Sequence, residues 1–536
     1  MIEDLSIQDS HISRRCDILI VGAGIAGLIL ATRLRKAGLH IVVLECGGRA
    51  EAAQTHPLKE FVQTGDDYKG VSQGRSHCLG GTSTRWGGAL LPYLDQDLEA
   101  RPHIGQEAFP VSMAQLRKYV PDVEAIFDLS SGSYEEDFVK EAKAESQVPV
   151  GDRDFWARFA KWPRFRARNV ASLFKDELSA DRGIEVWLNS TVTGFNLMPQ
   201  SDRLRSVEAR SLNGRRISVS ADRFVICAGA IESTRLLLLL DRQHDQRIFE
   251  RCNSLGRYFY DHVSAPVARI AVTDIEALNR LAAFRFSGTT MRSLRYELSP
   301  AAQRRQMTGS AFAHISFKTL HPTGFDALRT MMRATQRGSV DYGAALAVAR
   351  DVPYLLNTAR WRYVHKQLLW PRPAHYDLHL VVEQLPKAAN RIFLTRDQNA
   401  FGMPVAAINW NMGHDERRTF EIFPVLFDAF WKRSGLQRVG SLEWIRTEQK
   451  TDENTGASDV YHPGGTTRMG TDSRTAVVDD TLRTFAVRNL WVSSTSTFPT
   501  GGGANPTMTL ILFTLRLADH LTRQRECVAS PAAAFA

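Results

Sequence analysis

The sequence predicts a mixed architecture, α/β in one part and α+β in the other, on three observations. A short apolar run, CDILIV at 16–21, leads into the glycine turn GAGIAG, an amphipathic stretch ending near Gly38, and a second apolar run, HIVVLE. A strand, a glycine turn and a helix return in RISVSADRFVICAGAIESTRLLLLL at 216–240. Three strand-like stretches, YDLHLVVEQ, NRIFLTRD and PVAAINW, then follow one another between 376 and 410 with no helix between them. The first two patterns predict a Rossmann-like layer assembled from separated parts of the chain. The third predicts a mixed or antiparallel sheet interleaved with it.

Each element has a local reason. In GAGIAG, Gly22 permits the tight turn and Gly24 lets the backbone approach a pyrophosphate, whose charge the following helix start favours. Gly27 lets the helix pack closely on the strands. Glu45 stands 18 positions beyond Gly27, where a carboxylate holds an adenosine ribose hydroxyl. The motif does not by itself separate FAD from NAD. Residues 74–90, GRSHCLGGTSTRWGGAL, are poor material for a helix interior or a central strand. They suit either a loop laid against a flat or phosphorylated ligand or an ordinary surface loop, with Trp86 covering a ring or anchoring the loop.

Helical signals follow at MAQLRKYV and ASLFKDELSA, and GIEVWLNSTVTGF at 183–195 alternates like a strand. In 216–240 a hairpin strand is expected first, then a buried strand at FVICAG. Helix-like segments at 325–372 carry eight Lys/Arg against three Asp. A solvated domain face is the default reading there, with a peripheral membrane or partner surface as the alternative. A helix is expected over DERRTFEIFPVLFDAFWKRSGL, a strand at NLWVSS and a terminal helix from TMTLILFTLRLADHL. The domain assignment is 14–110, 181–265 and 450–535 for the dinucleotide-binding part, and 111–180 with 266–449 for the substrate part.

At 536 residues the chain exceeds the size at which one core stops growing. Its apolar content of 43% and charged content of 23% are those of a globular protein. The net charge of +9 is spread along the chain without a Lys/Arg block, and no nucleic-acid-binding module is present, so nucleic acid is not an expected partner. Six scattered cysteines form no CxxC metal pair and no disulfide framework, and the beginning of the chain lacks a secretory pattern. No apolar run spans a bilayer. The expectation is a cytoplasmic protein in a reducing compartment, with no metal and no haem of its own.

Two late loops carry the candidate chemistry: YHPGGTTRMG at 461–470 with His462, and FPTGGGANPTMT at 498–509 with Asn505. Singly, each has a plain structural reading, a loop histidine and a helix-start signature. Together they suit oxidation of an alcohol. A neutral imidazole accepts the hydroxyl proton as hydride leaves the carbon, and an amide holds the same oxygen without titrating.

On CDILIVGAGIAG with Glu45, GRSHCLGGTSTRWGG, GRYFYDH at 256–262, RIFLTRDQNAFGMPVAAINW, YHPGGTTRMG and NLWVSSTSTFPTGGGANPTMT, nearly the whole chain resembles the glucose-methanol-choline (GMC) family of FAD-dependent oxidoreductases. The resemblance implies FAD, a substrate domain over its isoalloxazine ring, and hydride transfer to flavin N5 with His462 as base and Asn505 as second catalytic residue. It implies cofactor contacts at Gly22, Gly24, Ala26, Gly27, Glu45, Gly80, Gly81, Thr82, Thr84, Trp86, Gly87, Val192, Ala228, Gly229, Thr495, Pro506 and Thr507. Arg85 stands where covalent members carry a histidine, which implies non-covalent FAD. Ser494 replaces an acidic residue often found in the last flavin-contacting strand. STRW and NPT resemble the pyranose-oxidising and sugar-dehydrogenase members, which implies a sugar, glycoside or cyclitol hydroxyl as substrate. The same chemistry on a sterol or terpene alcohol, or a non-catalytic flavoprotein subunit, are the alternatives. Oxygen, a quinone or a separate redox protein remain open as electron acceptor.

Overall fold

The computed structural model describes residues 1–9, 11–180, 183–320, 324–336, 342–445 and 456–529. Parts of the expected segments 325–372 and 450–535 (residues 337–341, 450–455 and 530–535) lie outside the described residues.

The strand Ile12–Val21 lies at the centre of the first sheet. On one side it pairs in parallel with Ile41–Leu44, which pairs with Ile184–Leu188, and that strand with Ile2–Asp4. On the other side it runs parallel to Arg216–Ile226. That eleven-residue strand is continuous, where the sequence suggested a hairpin strand followed by a separate one. Its first half pairs antiparallel with Leu204–Arg210, and its last residues pair in parallel with Leu490–Val492. Two different neighbours thus cover one long edge, and nothing in ADR at 221–223 has to turn.

GIEVWLNSTVTGF also differs from expectation, forming two strands, Ile184–Leu188 and Thr191–Leu197. Asn189 between them adopts a left-handed φ of 53°, and its amide donates to both carboxylate oxygens of Asp4. The side chain stabilises a backbone conformation that breaks the ladder. The helix Ile25–Lys36 packs against the long terminal helix Pro506–Ala529, bringing the two ends of the chain onto one face of the sheet.

The second sheet is antiparallel. It runs Arg285–Ser287, Thr290–Leu298, Ala311–Thr319, Ala374–Glu383, His262–Val272, Gly440–Trp444. Phe155–Trp162 joins it beside Thr290–Leu298, and Ser458–Asp459 pairs with the start of His262–Val272. The helix His414–Arg433 buries Phe423, Phe427, Phe430 and Trp431 in the core on this sheet, with Phe155 and Tyr296 against the rings. A smaller sheet joins Arg391–Gln398, Pro404–Trp410 and Phe61–Gly65.

Candidate active site

Three glycine turns meet at the carboxyl ends of the first sheet's parallel strands. Gly22 has φ +105°, and a Cβ there would lie 2.6 Å from the Cys227 carbonyl oxygen, so only glycine lets this turn touch the one leading to Ala228 and Gly229. The Gly80 N–H donates to the Ala23 carbonyl at 2.9 Å, and a Cβ on Gly81 would come within 3.0 Å of the Gly24 Cα. The loop at 74–90 is therefore laid on the first glycine turn. A Cβ on Gly24 or Gly229 would meet nothing within 4 Å. Both positions open helices, Ile25–Lys36 and Gly229–Gln243, whose starts receive no side-chain cap. Open space over two uncapped helix starts is a cradle for a pyrophosphate.

The Glu45 carboxylate is buried and spoken for by its own surroundings. Oε2 accepts the Ala23 N–H at 2.9 Å, and Oε1 accepts the Gly47 N–H at 3.0 Å. Burial raises its pKa, with those hydrogen bonds opposing. It locks the turn around Ala23 to the end of Ile41–Leu44, and the Ser190 N–H donates to its carbonyl at 2.8 Å, which places buried Val192 nearby in sequence. Ala26 and Gly27 are buried in the first helical turn.

In the 74–90 loop, Trp86 is the anchor. Its indole N–H donates to the Arg168 carbonyl at 2.8 Å and its ring packs edge-on against Phe127. Thr84 Oγ1 donates to the Gly81 carbonyl, Thr82 lies on the same short helix, and Gly87 abuts Trp162. Arg85 points outward, half exposed, and pairs with Glu51 at 3.2 Å.

YHPGGTTRMG stitches the two sheets together. The residue before it, Val460, donates its N–H to the His262 carbonyl of the second sheet, and the Gly464 N–H donates to the carbonyl of Tyr260, just ahead of that strand. A Cβ on Gly464 would overlap the Tyr260 ring at 2.4 Å, which dictates a small residue there. Its second part runs beside the first sheet, with the Thr467 and Met469 N–H groups donating to the Ser496 and Thr497 carbonyls. Thr495 Oγ1 donates back to the Pro463 carbonyl at 2.7 Å, and Ser494 accepts the Ser496 N–H as a turn cap.

His462 lies where these two halves join. Its backbone N–H donates to both Asp261 oxygens at 2.8 and 2.9 Å, and Asp261 also accepts the Tyr68 hydroxyl at 2.8 Å. Burial, with Asp459 adding to it, pushes the Asp261 carboxyl up to about 8 despite those donors. The His462 side chain faces Asn505, with Nε2 and Nδ2 at 3.1 Å, while the His262 ring stands edge-on at 5.2 Å. Burial, then the His262 and Arg295 neighbours, holds the His462 imidazole well below the usual histidine value. A neutral ring is the form a base requires.

The orientation of Asn505 is set by a residue that sequence reading missed. Arg295 donates to Asn505 Oδ1 at 3.2 Å and to the Gly503 carbonyl at 3.0 Å. A guanidinium has no acceptor, so Oδ1 must face it. Nδ2 is then the donor to His462 Nε2. Arg295 pairs with Glu297 at 2.5 Å and lies over Phe312, and burial brings it down to about 10.

The GGG segment is held by two more unpredicted acids. Glu383 accepts the Gly502 N–H at 2.9 Å, the Thr500 hydroxyl and a bidentate Arg101 at 2.6 and 2.7 Å. Asp97 accepts the Gly503 N–H at 3.3 Å. Pro506 and Thr507 open the terminal helix directly after Asn505. Asp261 and His262 lie in GRYFYDH, so a signal for them existed. Arg295 in SLRYEL, Glu383 and Arg101 have none, since each is an isolated charge in an ordinary strand or loop.

A family description for FAD dependent oxidoreductases matches residues 17–254, and one for the GMC oxidoreductase C-terminal region matches 386–514. The large subunit of a fructose dehydrogenase from Gluconobacter japonicus is 23% identical, covering 94% of this chain and 97% of that one. A 2-methyl-1,2-propanediol dehydrogenase from Mycolicibacterium austroafricanum is 22% identical over 95% of both chains. Among solved structures, pyridoxine 4-oxidase from Mesorbium loti shares the fold at a TM-score of 0.58 and 16% identity, covering 94% of this chain and 99% of that one. Fold and site define an FAD-dependent oxidoreductase acting on CH–OH donors. Over the two matched stretches the chain is similar to FAD-dependent oxidoreductases and, in its later part, to the GMC oxidoreductases.

FAD fits the residues present, because the helix starts at Gly24 and Gly229 are open and uncapped and the turn leading from the strand Ile12–Val21 to Gly24 is held by the buried Glu45. Among the described residues no helix is long and apolar enough to cross a membrane.

Proposed function

We propose that this protein oxidises a ring-borne hydroxyl of a sugar, glycoside or cyclitol, with His462 as the base and Asn505 as the residue that orients the substrate oxygen. The observation that carries the reading is the contact between His462 Nε2 and Asn505 Nδ2 at 3.1 Å, made at the junction of the two sheets. Bound FAD supplies the hydride acceptor. His462 takes the hydroxyl proton at Nε2 once the substrate oxygen enters between it and Asn505 and the Asn505 N–H turns from Nε2 to that oxygen. The Asn505 amide N–H, pointed by Arg295, holds the oxygen in place while its charge develops. Arg295 also sets a positive charge one residue from that oxygen, which favours the alkoxide.

The pyranose-type motif style and the similarity to the fructose dehydrogenase large subunit support a polyhydroxyl substrate. The similarity to a 2-methyl-1,2-propanediol dehydrogenase keeps small branched or apolar alcohols as the second reading. We assign FAD contacts to the glycine turns at Gly22–Gly27, Gly80–Gly81 and Ala228–Gly229, with Glu45, Thr82, Thr84, Val192, Thr495, Pro506 and Thr507 around them. Oxygen, a quinone or a separate redox protein takes the electrons. The test is anaerobic mixing of the purified flavoprotein with sugars and glycosides beside sterol, terpene and short-chain alcohols. Bleaching by the sugars supports the assignment; bleaching by apolar alcohols alone rejects it. Stopped-flow reoxidation with oxygen and with a soluble quinone then separates the acceptors.

A further inference from the structure

Thr319 and Ala374 pair at the end of two antiparallel strands, so residues 320–373 leave the second sheet and return to it at one place. Most hairpins turn there in a few residues. This one carries helices at Gly324–Gln336, Tyr342–Arg350 and Val352–Val364. A surface helix ordinarily turns its apolar stripe inward and its charges outward.

The second and third helices turn apolar side chains outward as well. On Val352–Val364 the exposed positions include Val352, Leu356, Arg360 and Tyr363, which follow one helical face, and Leu356 is 67% and Tyr363 71% exposed. On Tyr342–Arg350 the exposed face includes Tyr342 and Leu346, at 82% and 54%. No charged residue lies between Tyr342 and Ala349.

The charges around this face sort by sign. Among the described side chains from Tyr342 to Arg372, the exposed charged ones are Arg360, Lys366 and Arg372, all cations. The acid in that span, Asp351, is half-buried and accepts the Gly324 N–H at 2.7 Å. Aliphatic side chains facing outward, with tyrosines and Arg360 among them and Lys366 and Arg372 just past the last helix, match a lipid–water boundary. The aliphatic groups enter the acyl region, the tyrosines sit at headgroup level, and the cations meet lipid phosphates. A second copy of this face would offer these cations no exposed acid among its described side chains from Tyr342 to Arg372.

We propose that the helices at 342–364 seat this protein peripherally on an anionic bilayer surface. The proposal does not depend on which alcohol the active site oxidises.

The test uses the full-length flavoprotein in flotation with vesicles of phosphatidylcholine alone and of phosphatidylcholine with phosphatidylglycerol. The protein is expected to float with the anionic vesicles and to be released by raised salt. Leu346→Glu with Leu356→Glu should lower the bound fraction by roughly tenfold or more, since both remove apolar contact and add like charge. Arg360→Glu with Lys366→Glu should erase the preference for anionic lipid. Unchanged flavin content and unchanged turnover with a soluble acceptor certify that these surface variants are folded. Wild type left unbound by both vesicles overturns the proposal, as does flotation of the leucine variant equal to wild type. A concentration-dependent dimer that Leu356→Glu dissociates, with no flotation of wild type, would assign the face to a second copy instead.

Discussion

One amide links an imidazole to a guanidinium in this protein: Asn505 gives Nδ2 to His462 Nε2 at 3.1 Å and takes Arg295 Nη1 on Oδ1 at 3.2 Å. Reversing the amide would set its NH2 against the guanidinium, donor against donor, so the cation dictates which atom meets the imidazole. Asn505 is thus positioned by Arg295, a residue of the strand Thr290–Leu298 in the second sheet.

If His462 is the proton acceptor, His462→Ala should bind FAD normally and lose roughly 10²–10⁴-fold in the rate of anaerobic flavin reduction. Flavin content is read from the visible spectrum and the rate by stopped flow. A rate within a few fold of wild type removes His462 from the base role.

The depressed pKa of His462 carries a sign that can be checked. The native imidazole stays neutral through the usual histidine range, so the acid limb of kcat/KM should lie below about 6.5, the unperturbed value. The unfolded chain takes up a proton there that the native ring refuses, so this group's contribution to stability is present above that pH and is lost as pH falls. An acid limb above 6.5 that His462→Ala leaves in place would point to a different group.

Asn505→Asp puts a carboxylate between His462 and Arg295. An anion beside the imidazole favours its protonated form, so the acid limb should move up in pH and flavin reduction at neutral pH should slow, recovering at higher pH. Unchanged limbs in the pH–rate profile would mean that residue 505 does not face the base in the working enzyme.

Glu383 ties Arg101 to the GGG segment. Burial raises its pKa, but Arg101 and the Thr500 and Ser310 hydrogen bonds more than reverse this and bring it to about 2. Its contribution is present above the ordinary value near 4.5 and disappears as pH falls toward about 2. From that shift it is worth on the order of 3 kcal/mol. Glu383→Gln should cost about 3–5 kcal/mol near neutrality, because it leaves the Arg101 charge buried without its partner. Chemical denaturation of wild type and variant at pH 7 and in acid measures both effects. A difference that does not narrow in acid excludes this linkage.

Glu45 accepts two backbone N–H groups of the first glycine turn and the strand end beside it. Glu45→Ala leaves both donors without that acceptor, at about 1–3 kcal/mol each if they stay dry. The variant should purify with substoichiometric flavin and a lowered thermal midpoint that added FAD restores. Full flavin occupancy at wild-type stability would show that the carboxylate does not hold the turn.

Much of the cofactor layer was legible because its requirements are local. Gly27 answers to the Gly22 carbonyl five residues away, Gly22 adopts a local turn at φ +105°, and a strand or helix period is visible within ten positions. The continuity of Arg216–Ile226 was not, because a strand's length depends on which neighbours cover its edges, here Leu204–Arg210 and then Leu490–Val492. The break at Asn189 was missed for a similar reason, since the residue that stabilises it, Asp4, lies 185 positions away in the chain, on the neighbouring strand.

The sequence by itself determined the glycine turns, the order of the elements and the candidacy of His462 and Asn505, since each depends on residue type and short spacing. Only the tertiary structure decided which atoms face one another. Arg295, Glu383 and Asp97 act through distances between chain segments hundreds of residues apart, and a lone charge in a strand has no sequence context that announces its partner. The outward apolar stripes of residues 342–364 are the same case. Their period is visible in the chain, but which side of each helix meets the core is set by packing alone.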